Sequence, residues 1–166
     1  MFEVGDFLIY PTQGLAEVKG IETKVIGGNA ANFYILHIVS KNLAIMVPIA
    51  NQEKIGLRKI VDPDDLSKVK EILSKKADSH YSQWHHRYGD NFDKLKSGSI
   101  FQTAEVVRDL MELKKRKNLA IKETRMMDNA LQLLRSEISA TMNIAEGEAE
   151  KWIFESLEEH GAALES

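Results

Sequence analysis

The chain has no cysteine. That excludes a disulfide framework, a thiolate metal site and a cysteine nucleophile, and makes the cytoplasm the expected compartment. No apolar run approaches the roughly 18–20 residues of a membrane span, so no contact with a membrane is expected. The start, Met1-Phe2-Glu3-Val4-Gly5-Asp6, has neither a basic flank nor an apolar stretch, and no signal peptide is expected there. Walker loop, G-x-G-x-x-G, G-x-S-x-G and H-E-x-x-H are all missing, which argues against the common nucleotide-dependent, esterase and zincin chemistries. An excess of positive charge is missing too. The net charge of −3 over 166 residues is wrong for a protein that holds nucleic acid by bulk electrostatics.

What is present is unevenly placed. Residues 84–125 carry 10 basic and 6 acidic residues, a local excess of +4, whereas residues 126–166 carry 2 and 9. The pattern of apolar residues also changes at about residue 60. Before it the signals are those of strands: Phe7 to Tyr10, Leu15 to Ile21, a turn at Gly27-Gly28-Asn29, Phe33 to Val39, a turn at Ser40-Lys41-Asn42, and Leu43 to Val47 stopped by Pro48. Strands this short and close predict a small, strongly bent sheet or barrel, and no helix of ordinary length fits there.

After residue 60 the period becomes helical. Asp62 followed by Pro63 is a helix start. Leu66, Val69, Ile72 and Leu73 recur at helical spacing behind it. A second stripe is Tyr81, Trp84, Tyr88, Phe92 and Leu95, ended by Gly98. Ser99 caps a third helix, with Ile100, Val107 and Leu110 on its apolar face and Lys114-Lys115-Arg116-Lys117 at its end. Met127, Leu131, Leu134 and Ile138 mark a fourth, and Ala149, Ile153 and Leu157 a fifth. The expected fold class is α+β: a β module over 1–60, then an all-α bundle over 61–166.

Several residues bear on function, each with a plainer alternative. Gly27-Gly28 reads as a hairpin tip more readily than as a phosphate cradle. His85 and His86 are adjacent, so on a helix they point about 100° apart and cannot readily share an ion; no metal or cofactor is expected. His37 fits the exposed face of a strand, and Trp152 a core position. The basic end of the third helix suits the macrodipole, or a phosphate. Trp84 stands in the run His80-Tyr81-Ser82-Gln83-Trp84-His85-His86-Arg87-Tyr88. An aromatic among cations can stack on a base while its neighbours hold phosphates. The same residue lies on its helix's apolar stripe, which favours burial. His86 and Arg87 fall off that stripe, and a guanidinium at a helix start suits a phosphate.

Specific residues carry a resemblance. Val4-Gly5-Asp6, Tyr10-Pro11, Gly14, Ile21-Glu22-Thr23, Val47-Pro48 and Gly56-Leu57-Arg58 resemble the N-terminal domain of the CarD/CdnL bacterial transcription regulators. That domain is shared with the polymerase-interacting domain of the transcription-repair coupling factor. Trp84, Arg87-Tyr88, Leu95 to Gly98 and Ala104 to Leu110 resemble the helical domain of the stand-alone members. The likeness runs from about residue 2 to about residue 140. No basic A-T-hook tail is seen, which fits the stand-alone type.

The resemblance implies a Tudor-like bent sheet that binds the β subunit of RNA polymerase, partly through a strand edge. It also implies a helical domain lying against promoter DNA at the upstream edge of the transcription bubble. Lys24, Ile26 and Met46 would fall at the polymerase, and Trp84, His86 and Arg87 at the DNA, with Trp84 wedged into the minor groove. Such a protein would act as a monomer, without catalysis. Relatives often have a basic residue where Met46, His86, Gly89 and Thr124 stand here; Met46 would replace an ion pair to polymerase by apolar contact, and the less basic neighbours of Trp84 leave the wedge a larger share of the effect than phosphate contacts. The alternative is an interaction adaptor with the same two modules and Trp84 in its core.

Overall fold

A computed structural model describes residues 1–77 and 84–165; of these, the side chains of Trp84, His85 and residues 160–165 are outside the description. His80 and Tyr81 lie outside the described residues. The chain divides into two compact units, Met1–Ile60 and Val61–Ser166.

The first unit is an antiparallel sheet of five strands in the order β4-β3-β2-β1-β5. They are β1 (Phe7–Tyr10), β2 (Gly14–Ile26), β3 (Asn29–Ile38), β4 (Leu43–Pro48) and the two-residue β5 (Arg58–Lys59). One four-residue helix, α1 (Gln52–Ile55), precedes β5. The β2–β3 register slips between Val18 and Gly20. An extra residue there sharpens the local twist and bends the strand pair. Strands β4 and β5 form the two edges, so the unit is an open bent sheet rather than a closed barrel.

Its core follows from strand alternation. Tyr34, Leu36 and Ile38 face inward from β3 and cluster with Leu8, Val18 and Val47. Tyr34 is fully buried, and its hydroxyl is satisfied twice: it accepts from the Phe2 amide at 3.0 Å and donates to Gln52 Oε1 at 2.8 Å. His37 alternates outward, as its strand position implies, and its Nε2 lies 2.7 Å from Asn42 Oδ1.

Strand β2 is longer than its apolar pattern suggests. The strand expected to stop at Ile21 runs on to Ile26, paired residue for residue with β3 down to Ile26–Asn29. Glu22, Thr23 and Lys24 have no core to face, so hydrophobic alternation is silent there. Cross-strand pairing keeps them extended, including a Thr23–Asn32 side-chain hydrogen bond of 2.7 Å. The result is a two-stranded arm whose tip, Gly27 and Gly28, takes positive φ in a two-residue turn.

The second unit is all helix. Asp62 and Asp65 form a reciprocal capping box over the turn Pro63–Asp65, which continues into α2 (Leu66–Ser74). Then come α3 (Trp84–Lys96), α4 (Ile100–Arg116), α5 (Ile121–Met142) and α6 (Glu146–Glu165). The expected stripes of α2, α4, α5 and α6 supply the core, and Trp152 packs against it half-buried. Ser99 caps α4 by accepting from the Gln102 amide. The stripe of α3 is rotated from expectation: Phe92 is 50% exposed, and Asn91 is buried in its place. Leu95 stays buried, and Tyr88 packs against the core.

Candidate functional site

Lys24, Ile26 and Met46 come from strands two apart in the sheet, and register decides their face. Lys24 pairs with Ala31, Ile26 with Asn29, and Met46 with Ile35. Ala31, Asn29 and Ile35 are alternate residues of β3, and directly opposed residues of antiparallel strands share a face. All three therefore lie on the face opposite Tyr34, Leu36 and Ile38. The rows of Met46 and Lys24 are four β3 residues apart, about 13 Å.

This face is apolar for an exposed one. Ile26 is 62% exposed and Met46 39%, with half-buried Phe33, Ile35 and Pro48 between them. Val25, on the opposite face of the arm's tip, is 72% exposed. Met46 belongs to edge strand β4, which pairs with β3 on one side only. Its open side offers backbone N–H and C=O groups to another strand. Lys24 adds one exposed cation beside this apolar ground. The combination suits a protein surface with a strand edge and a nearby acidic group.

The second group lies at the start of α3. Trp84 is the first residue of that helix, and its side chain lies outside the described residues. His86 is exposed. Arg87 is paired within the helical unit. Its Nε donates to Glu123 Oε2 at 2.8 Å and one Nη donates to Glu123 Oε1 at 2.7 Å. The Arg87 side chain is 10% exposed and that of Glu123 2%. A bidentate, largely buried pair leaves this guanidinium committed to a carboxylate rather than turned outward toward phosphate. Sequence context could not reveal this, because Glu123 lies 36 residues away.

Around α5's start the surface is cationic. Lys114, Lys115 and Lys117 at the end of α4, and Lys122 and Arg125 in α5, are exposed. Arg116 is also exposed but bonded to Glu112 at 3.1 Å. Ile121 is exposed among them. The Arg87–Glu123 pair ties the first turn of α3 to the first turn of α5, so this basic ground borders the segment that begins with Trp84. The acidic counterpart is α6, where an open groove is lined by Gly147, Glu150, Lys151, Phe154, Glu155 and Glu158.

Among the described residues no group of three or more His, Asp or Glu side chains could hold a metal ion. No described helix is long and apolar enough to cross a membrane.

Comparison with known proteins bears on both units. Residues 2–61 match the family described as CarD-like/TRCF RID domain, and residues 68–154 the family described as CarD, C-terminal domain. A Bacillus subtilis protein, YdeB, named as a candidate transcription factor, is 34% identical over 146 residues, covering 88% of this chain and 95% of its own. The solution structure of the 72-residue N-terminal domain of Myxococcus xanthus CarD is 32% identical. It covers 36% of this chain and 79% of its own, with a TM-score of 0.31. Two matches in the same order as the two units, and a relative aligned over nearly its whole length, lead to one conclusion: the chain belongs to the CarD/CdnL-like family of bacterial transcription regulators.

Proposed function

We propose that this regulator docks on the β subunit of bacterial RNA polymerase through the sheet unit, and uses the start of α3 to slow collapse of the open promoter bubble. Lys24, Ile26 and Met46 make the polymerase contact, with β4 adding its open edge to a polymerase strand. Trp84 wedges into the minor groove at the upstream edge of the bubble, beside His86. Arg87 belongs to this DNA site through the helix start it anchors. The observation that carries the reading is the pair of family matches over both units, joined to an exposed apolar sheet face holding all three expected polymerase residues.

The energetics agree. An apolar side chain beside an unstacked base step replaces part of the lost stacking, and base–aromatic stacking is worth roughly 1–3 kcal/mol. At about 1.4 kcal/mol per decade this moves the bubble equilibrium by about 5- to 150-fold. No sequence readout is needed, since the minor groove offers little. A chain of net charge −3 binds DNA poorly alone. Docking on polymerase makes the DNA contact intramolecular, at an effective concentration of order mM, so weak contacts suffice. The test is the lifetime of open complexes formed by purified polymerase after a competitor is added. The protein should lengthen it, with saturation tracking polymerase affinity. An unchanged lifetime at saturating, polymerase-bound protein would remove the function.

A second reading, an adaptor that binds another protein and keeps Trp84 in its core, draws on one observation. Asn91 and Leu95, 7 and 11 residues beyond Trp84 and so on the same line of the helix, are buried. Acrylamide quenching of Trp84 fluorescence in a Trp152→Phe background separates the two. Strong quenching supports the wedge and weak quenching the adaptor.

A further inference from the structure

Helix α5 carries two buried carboxylates that its apolar packing does not call for. Glu123, in its first turn, takes both hydrogen bonds from Arg87. Glu137, also 2% exposed, accepts the backbone amide of Val61 at 2.9 Å through Oε2. Thr141, one turn on, donates to the Val61 carbonyl at 3.1 Å. Val61 is the first residue of the helical unit. Glu123 and Glu137 are 14 positions apart, about four turns and about 21 Å, and so on one side of the helix. Met127, Ala130, Leu131 and Leu134 are buried between them.

Burying a carboxylate is costly unless it is fully paired, and apolar residues of similar size would stabilise a core at least as well. Paired buried groups do fix geometry, because every alternative arrangement leaves a charge without partners. Here they fix the two points that matter to a tethered protein: where the chain enters the unit, and where α3 starts.

We propose that α5 is a strut, and that Glu123 and Glu137 are positioning residues for the DNA contact. Glu137 sets the entry of the chain on one end of the strut, and Glu123, through Arg87, sets the first turn of α3 on the other. Arg87 then acts by geometry and not as a phosphate ligand. This rests on the reading that the start of α3 meets promoter DNA.

The test has an arm that needs no DNA. In a Trp152→Phe background Trp84 is the one tryptophan, and its fluorescence anisotropy reports on the start of α3. Glu123→Gln and Arg87→Met should each lower it to the same extent, and combining them should add nothing. Glu123→Asp, which keeps the carboxylate, should restore part of the loss. If a single variant fails to fold, the apolar pair Arg87→Met with Glu123→Met serves in its place, because it leaves no unpaired buried charge. Unchanged anisotropy in folded variants overturns the clamp.

The second arm is open-complex lifetime against salt. Glu123→Gln, Arg87→Met and Glu137→Met should each shorten the lifetime several-fold, at unchanged polymerase affinity and with the wild-type salt slope. A slope reduced by about one ion in Arg87→Met alone identifies a phosphate ligand and overturns the proposal. An unchanged lifetime in a folded Glu137→Met variant removes that end of the strut. If Trp84→Ala itself has no effect on lifetime, the DNA reading fails, while the anisotropy still decides the clamp.

Discussion

Gly56 sits at φ 87°, where an added Cβ would stand 3.4 Å from Pro11 Cγ. That distance is ordinary contact, so the cost of a side chain there comes from the left-handed backbone. Gly56→Ala should therefore destabilise the sheet unit by about 1–2 kcal/mol, read as a lower midpoint in urea with unchanged slope. Lys24 is exposed on the arm and contributes nothing visible to the core. Lys24→Glu should leave the fold intact and weaken polymerase binding about tenfold, roughly 1.4 kcal/mol, in a titration. Equal affinity would take Lys24 out of the interface. Residue-scale reading of the sequence works where a neighbour in the chain decides the outcome, as for Ser99 capping α4. It fails where a distant partner decides. Nothing near Arg87 announces Glu123, and nothing near Phe92 announces that Asn91 would be the buried side chain.

Elements were legible where both period and boundary residues were present. Asp62 and Pro63 specify the entry to α2, and the capping box they begin closes on Asp65. Asp62→Ala should cost about 1 kcal/mol of the helical unit's stability, measured by thermal or denaturant unfolding. No loss would mean that neighbouring groups satisfy those amides. The extension of β2 past Ile21 was not legible. Both faces of the arm are exposed, so the sequence carries no alternation there, and strand state is imposed by β3. On the proposed reading, the same exposure leaves these residues available to the polymerase. The α3 stripe differs from the core pattern at one place. Its tyrosine and leucine fit it, but Asn91 is buried where Phe92 is expected, on the side of the helix where Arg87 meets Glu123.

At the scale of the whole molecule, the change of period near residue 60 coincides with the boundary between two compact units. Family resemblance adds what periodicity cannot, namely the partner proposed for each unit. The charge layout fits the proposed need for both. The basic segment is offset by acidic α6, so the protein by itself should bind a promoter duplex no more tightly than the ~10⁻⁴–10⁻⁶ M of non-specific complexes. Anisotropy of a labelled duplex would check this, and tight binding without polymerase would contradict the tethering logic.

The role of Trp84 as a wedge is tested by the lifetime of the open promoter complex with wild-type protein and with Trp84→Ala, both saturating and both bound to polymerase. We expect the substitution to shorten the lifetime by about 5- to 150-fold, toward that of polymerase alone. An unchanged lifetime, with folding and polymerase affinity intact, would contradict the wedge.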